Sequence, residues 1–210
     1  MKNLKGKNGS SGFSLVELVV AITIILVVLG VVSTLFSRSL TTRQRESSRT
    51  DALTASQAAL NVISREVANA GYGLEGSGLV LADSNAKQLH FGSNVKNDNM
   101  IFTDPGEDVT YFFDASTQSI LRHDRNGGGV GVPRTSILIN RISDLTFQYF
   151  DYVGTNPATG PHAAPSINTG RVRVTVLVSL EQVQGQVNPQ NVVLTSDVAL
   201  RNSDYMLRQY

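Results

Sequence analysis

From Phe13 to Phe36 the chain reads FSLVELVVAITIILVVLGVVSTLF, an apolar run of 24 residues with one charge, Glu17. A helix rising about 1.5 Å per residue would carry that run about 36 Å, enough to cross a hydrocarbon layer of about 30 Å. Past Phe36 the pattern turns polar without losing its helical character. Ser37 to Ala70 holds neither Pro nor Gly, and Leu53, Ser56, Leu60, Ile63, Val67 and Ala70 fall alternately three and four apart on one stripe. Arg45, Glu46, Arg49, Arg65 and Glu66 lie off that stripe. Gly71-Tyr72-Gly73 supplies a stop, so one helix is predicted over 13–70, its second half lying against a folded head.

Beyond residue 72 the period changes to two. Arg171 to Glu181 alternates strictly, with Val172, Val174, Val176, Val178 and Leu180 on one face, as a half-buried strand requires. Leu145, Phe147 and Tyr149 alternate likewise. Val109–Asp114 and Ser119–His123 flank residues 115–118 as a hairpin, 191–200 reads as a further strand, and 79–82, 87–91 and 136–140 are weaker candidates. Asn126–Pro133 and Gly154–Gly170, rich in Gly, Pro and Asn, read as turns. The pattern predicts an α+β chain: a long N-terminal hydrophobic and amphipathic helix packed on an antiparallel β-sheet head. The predicted organisation is a polar segment 1–12, an apolar helix 13–36, its amphipathic continuation 37–71 and a β-rich head 72–210.

Composition narrows the chemistry. The 210 residues include no cysteine, which excludes disulfides, thiolate metal sites and a cysteine nucleophile. The net charge of +1 conceals an uneven distribution: residues 1–71 hold eight Lys/Arg against four Asp/Glu, residues 72–210 ten against thirteen. A mildly acidic head without a basic block argues against nucleic acid as a partner. His90, His123 and His162 lie far apart in sequence, and there is no HExxH, phosphate loop or GxSxG motif. His123-Asp124-Arg125-Asn126-Gly127 lacks the full calcium-loop spacing and its closing Glu, and reads as a turn. The glycines 127–129, with no following helix and Lys, read as a loop. Tyr149, Phe150, Asp151 and Tyr152 are expected to pack as strand residues. No catalytic residue, metal site or cofactor is predicted.

The segment ahead of the apolar run is more telling. MKNLKGKNGSSG carries Lys2, Lys5 and Lys7, like the basic start of a secretory signal. The run that follows is about twice the length of a signal's apolar region. The small residues Ser10-Ser11-Gly12 stand before the run, with no such site after it. Cleavage there would leave the hydrophobic helix on the mature chain. Lys/Arg counts do not orient the span, because Arg38, Arg43, Arg45 and Arg49 follow it. Glu17 within the run costs on the order of 2.5–3.5 kcal/mol at a bilayer centre, less near the end where it lies; it either snorkels or is protonated, or it awaits a cationic partner supplied by another subunit.

Gly12-Phe13-Ser14-Leu15-Val16-Glu17-Leu18, after a short basic leader and before a long apolar helix, resembles the prepilin N-terminus of type IV pilins, minor pilins and type II secretion pseudopilins. The resemblance implies cleavage between Gly12 and Phe13 by a prepilin peptidase, and N-methylation of Phe13 by the same enzyme. It also implies a single pass of a bacterial inner membrane, leader cytoplasmic and head periplasmic, before entry into a pilus or pseudopilus. Glu17 matches the family's acidic fifth mature position. There it would meet the freed Phe13 amine of a neighbouring subunit and select the register of assembly. Leu15, Leu18 and Gly30 are assigned to helix assembly. The implied partners are other minor and major pilins, or pseudopilins, through their N-terminal helices, together with the peptidase and the inner-membrane assembly platform.

Ile63–Tyr72, Leu145–Tyr152 and Val198–Asn202 are similar to segments of PilW-type minor pilins, and in part to J-type pseudopilins. The function this implies is a minor pilin that primes or caps pilus assembly. A J-type pseudopilin of a type II secretion system is the alternative within the class. A membrane-anchored periplasmic enzyme or binding protein is the alternative outside it. Two family features are missing: cysteines for a C-terminal disulfide loop, and a proline in the middle of the N-terminal helix, where only Gly30, Ser33 and Thr34 stand.

Overall fold

The computed structural model describes residues 12–96, 100–153, 158–180 and 191–208. Leader residues 1–11, the start of the predicted turn at 154–157, and Glu181 at the end of a predicted strand lie outside them. A single helix, α1, spans Leu15–Ala68 over 54 residues, two inside the predicted limits at each end. Its hydroxyl side chains bond to their own helix: Thr23 to the Val19 carbonyl at 2.7 Å, Thr34 to Val31 at 2.7 Å, Thr41 to Ser37 at 2.9 Å and Thr42 to Arg38 at 3.0 Å. Such back-bonding leaves few unsatisfied polar groups along the helix surface. The chain divides into two units, residues 1–46 and 47–210. In the first, the described residues are helical from Leu15 and none is buried.

In the second unit the strands form two sheets where the sequence predicted one. β1 (Gln88–Gly92), β2 (Asp108–Asp114), β3 (Ser119–Asp124) and β4 (Arg134–Ile139) form an antiparallel meander in that order. β5 (Ile142–Asp151), β6 (Thr159–His162), β7 (Thr169–Ser179) and β8 (Asn191–Ala199) form the other sheet, also antiparallel, in the order β6-β5-β7-β8. The chain leaves one sheet for the other through a two-residue corner, 140–141, where Arg141 takes φ 62°. The Ile142 amide closes that corner on the Gln118 carbonyl at 2.9 Å. β6 lies inside the stretch read as turns, whereas the predicted strand at 79–82 is reduced to an isolated bridge from Leu79 to Phe91.

Ala59, Leu60, Ile63, Val67 and Ala70 of the helical stripe meet Leu89, Phe91, Tyr111 and Ile120 of the first sheet in one core. Leu145, Phe147 and Val172, Val174, Val176 and Val178 of the second sheet complete it. The strict alternation of β7 is what buries its valines while Arg171 and Arg173 stay half-exposed on the other face. Helix and sheets are also joined by hydrogen bonds, Ser64 Oγ to Ser196 Oγ at 2.8 Å among them. The last carbonyls of α1 are capped from the far end of the chain. The Arg201 amide donates to Ala68 at 3.3 Å, and the Asn202 side-chain amide donates to Ala70 at 2.9 Å. A short helix, α2 (Asp204–Leu207), follows, begun by the Ser203 hydroxyl.

The turn after α1 is closed by glycines. The Gly71 amide donates to the Gly92 carbonyl at 2.9 Å, and the Gly92 amide to Gly78 at 2.8 Å. Gly71 and Gly78 take φ 75° and 70°, and a side chain on either would overlap backbone atoms of its neighbours.

Candidate functional site

Gly12 and Phe13 precede the helix, and Ser14 provides its first acceptor, the carbonyl that receives the Leu18 amide at 3.1 Å. Glu17 falls in the first helical turn, where a carboxylate faces the positive end of the helix dipole. It is exposed, and among the described residues it makes no ion pair. Phe13 and Leu15 are each 78% exposed, and Leu18 also lies open on the helix surface. A Cβ at Gly30 would meet nothing within 4 Å, so nothing in the chain's own packing demands glycine there. The helix is long and apolar enough to cross a membrane, and none of its most apolar stretch is buried by the chain itself. These residues therefore form a bare apolar rod with one carboxylate near its start. An exposed apolar surface of this extent is suited to cover by lipid or by another apolar surface.

Several buried polar groups of the 47–210 unit pair within the chain instead, whereas the Asn94 side-chain amide and Arg171 Nε are buried without a hydrogen-bond partner among the described residues. Glu66, which the sequence placed off the buried stripe, accepts from Tyr111 Oη at 2.7 Å and from Arg122 Nε at 3.0 Å. Arg122 also reaches Asp124 at 3.3 Å. Burial, then the Glu66 carboxylate, raises the pKa of the Tyr111 phenol well above its ordinary value. Burial likewise raises that of Tyr149, whose hydroxyl donates to the Asn85 carbonyl at 3.0 Å. His90 Nε2 lies 2.6 Å from Asp108 and its Nδ1 3.1 Å from Asp83, so both ring nitrogens face carboxylates. The Glu66 and Tyr149 contacts were not visible in the sequence, because their partners lie 45 to 64 residues away.

Distance in sequence misled at one point. His90 and His123 share a single cross-strand row with Thr110 between them, and His123 Nδ1 contacts Thr135 at 2.8 Å. The segment His123–Gly127 runs from the end of β3 into a turn held by Asp124, which accepts from the Gly106 and Asn126 amides at 2.8 and 3.1 Å. Among the described residues no group of three or more His, Cys, Asp or Glu is placed to hold a metal ion. The aromatic cluster is structural. Tyr149 is buried, Phe150 lies under the guanidinium of Arg171 at 4.1 Å, and Tyr152 stacks on Tyr205 at 4.2 Å. Asp151 accepts from Ser166 and Thr169 at 2.6 and 2.7 Å.

Residues 7–33 match the family model described as the prokaryotic N-terminal methylation motif. Comparison with curated proteins and with solved structures gives no match for the chain. The matched stretch includes Gly12, Phe13 and Glu17 together with more than half of the apolar run. A prepilin-type methylation motif leading into a membrane-length helix, with antiparallel sheets behind it, supports a type IV pilin-like protein.

Proposed function

We propose that the chain is a minor type IV pilin of the PilW type, made as a membrane-anchored precursor and assembled after removal of residues 1–12. The observation that carries this reading is the methylation motif set directly ahead of an exposed apolar helix with Glu17 in its first turn. A prepilin peptidase would cut after Gly12 and methylate Phe13, leaving a new ammonium group at the head of the rod. Glu17 of a neighbouring subunit neutralises that cation in an apolar setting. Removing one member of such a pair costs about 3–5 kcal/mol, so insertion at a wrong axial offset is rejected. Leu15, Leu18 and Gly30 face sibling helices, and the inner-membrane platform drives the addition of subunits. The head, on the periplasmic side, presents its surface to other minor pilins at the start or tip of the filament. The same features serve a J-type pseudopilin. Co-purification with pilus or with secretion components separates the two.

The decisive measurement is the N-terminal mass of the protein taken from membranes of its host. A chain that starts at methylated Phe13 is expected. A chain retaining residues 1–12 in its working form overturns the proposal and leaves an ordinary uncleaved anchor.

A further inference from the structure

We infer that Arg38 and Arg43 form a phospholipid-binding belt where the apolar helix leaves the membrane, and that its ligand is the headgroup of an anionic phospholipid. The inference rests on the membrane-spanning part of the reading above. Phe36 ends the apolar run, and α1 continues through it without a break. At about 1.5 Å per residue, Arg38 stands about 3 Å and Arg43 about 10 Å beyond Phe36. The headgroup layer on each side of a bilayer is about 5–7 Å deep. Side chains on a helix lean toward its N-terminus, here back toward the bilayer, which brings the longer-range Arg43 to the phosphate level. Both arginines are exposed.

The neighbouring hydroxyls of Thr41 and Thr42 are bonded to helix carbonyls. The positive charge of each arginine is attracted to the net negative charge of an anionic headgroup, which a zwitterionic headgroup cancels with its own ammonium. The spacing selects lipid over a protein partner. Five residues turn the helix by about 140° from Arg38 to Arg43, so the two cations lie on different sides of the rod. A neighbouring subunit would meet one side, whereas lipid surrounds the helix. With the leader inside, these cations stand on the side where Lys and Arg are usually scarce, so their presence there calls for a local reason.

The chain contains no tryptophan, so Phe36→Trp supplies a single fluorescent reporter at the end of the apolar run. The full chain carrying it is reconstituted in phosphatidylcholine bilayers doped with brominated phosphatidylglycerol or with brominated phosphatidylcholine. Quenching then gives the relative occupancy of the two lipids beside the helix. Preference for the glycerol lipid is expected, about fivefold for each arginine at low salt. It should fall to near one in Arg38→Gln/Arg43→Gln and be kept in Arg38→Lys/Arg43→Lys. Equal quenching by the two lipids, or a preference unchanged by the glutamine pair, overturns the inference while leaving the span intact. So does a glutamine pair that loses binding to sibling subunits but keeps the lipid preference, since the arginines then serve a protein face. Absence of quenching by either lipid places the helix outside the bilayer and overturns the membrane reading with it.

Discussion

At the scale of single residues, the glycines that close the turn after α1 allow a controlled comparison. Gly76 and Gly78 both take positive φ, 86° and 70°, so alanine at either position is strained by about 1–2 kcal/mol. Only at Gly78 would the added methyl also overlap backbone, that of Gly71 and Gly92. Overpacking of this kind adds about 1–3 kcal/mol. Chemical denaturation should therefore show Gly78→Ala less stable than Gly76→Ala by at least about 1 kcal/mol, and equal losses would show that the turn relaxes freely. The buried phenols make a second prediction. Tyr111 and Tyr149 hold their protons in the folded state well above the ordinary value of 10.0 at which the unfolded chain releases them. A pKa raised on folding gives stability that is fully present below about pH 10 and is lost as pH climbs beyond it. Each phenol contributes a slope of about 1.4 kcal/mol per pH unit there. Unfolding measured between pH 10 and 11 should lose stability less steeply in Tyr149→Phe than in the native chain, and parallel curves would contradict the assignment.

Among the elements, the helical stripe carries a prediction that the sequence alone permits. Ile63 is fully buried between the sheets and α1, whereas Arg65, two residues on, is exposed. Ile63→Ala should cost about 2–4 kcal/mol in a denaturant titration and Arg65→Ala under about 0.5 kcal/mol, and similar losses would place the wrong face against the sheets. Elements of this kind were legible because a single face decides them. The three-four spacing of Leu60, Ile63 and Val67 and the two-residue period of Val172 to Val178 each state which side is buried. Elements that depend on pairing were not. β6 is four residues with a Gly-Pro step in a turn-rich stretch and exists only because β5 offers it an edge. Leu79 fails to begin a strand because Gly78 beside it is committed to the close approach with Gly71 and Gly92. The division into two sheets hangs on the corner at Arg141, a residue whose positive φ no local pattern announces. In the candidate site the same contrast holds. Gly12, Phe13 and Glu17 stand out in sequence because a small residue immediately precedes the apolar run and a single charge interrupts it. Glu66, Tyr111 and Arg122 come together only once strands 45 and 56 residues away are in place.

For the whole molecule, the contrast between a bare rod and a head whose buried charges are paired within the chain separates processing from assembly. Polar groups such as Glu66 and His90 find partners within the chain, but Glu17 finds none among the described residues. In the proposed reading, cleavage would act on the bond between Gly12 and Phe13, which lies outside the helix, and would need no neighbour. Insertion into a filament, by contrast, would bury the new ammonium group and, on that reading, require an acid opposite it. Glu17→Ala should accordingly be cut and methylated at Phe13 as efficiently as the native chain. Its incorporation should fall about tenfold or more, since an uncompensated buried charge costs about 3–5 kcal/mol and each 1.4 kcal/mol is a factor of ten. The test compares the amount of Phe13-started protein in sheared filaments with that in the membrane. Glu17→Asp keeps the charge on a shorter arm and should recover part of the loss, which alanine's gain in hydrophobicity cannot imitate. Equal incorporation of native and alanine chains would mean that apolar packing of Leu15, Leu18 and their neighbours sets the register without the acid.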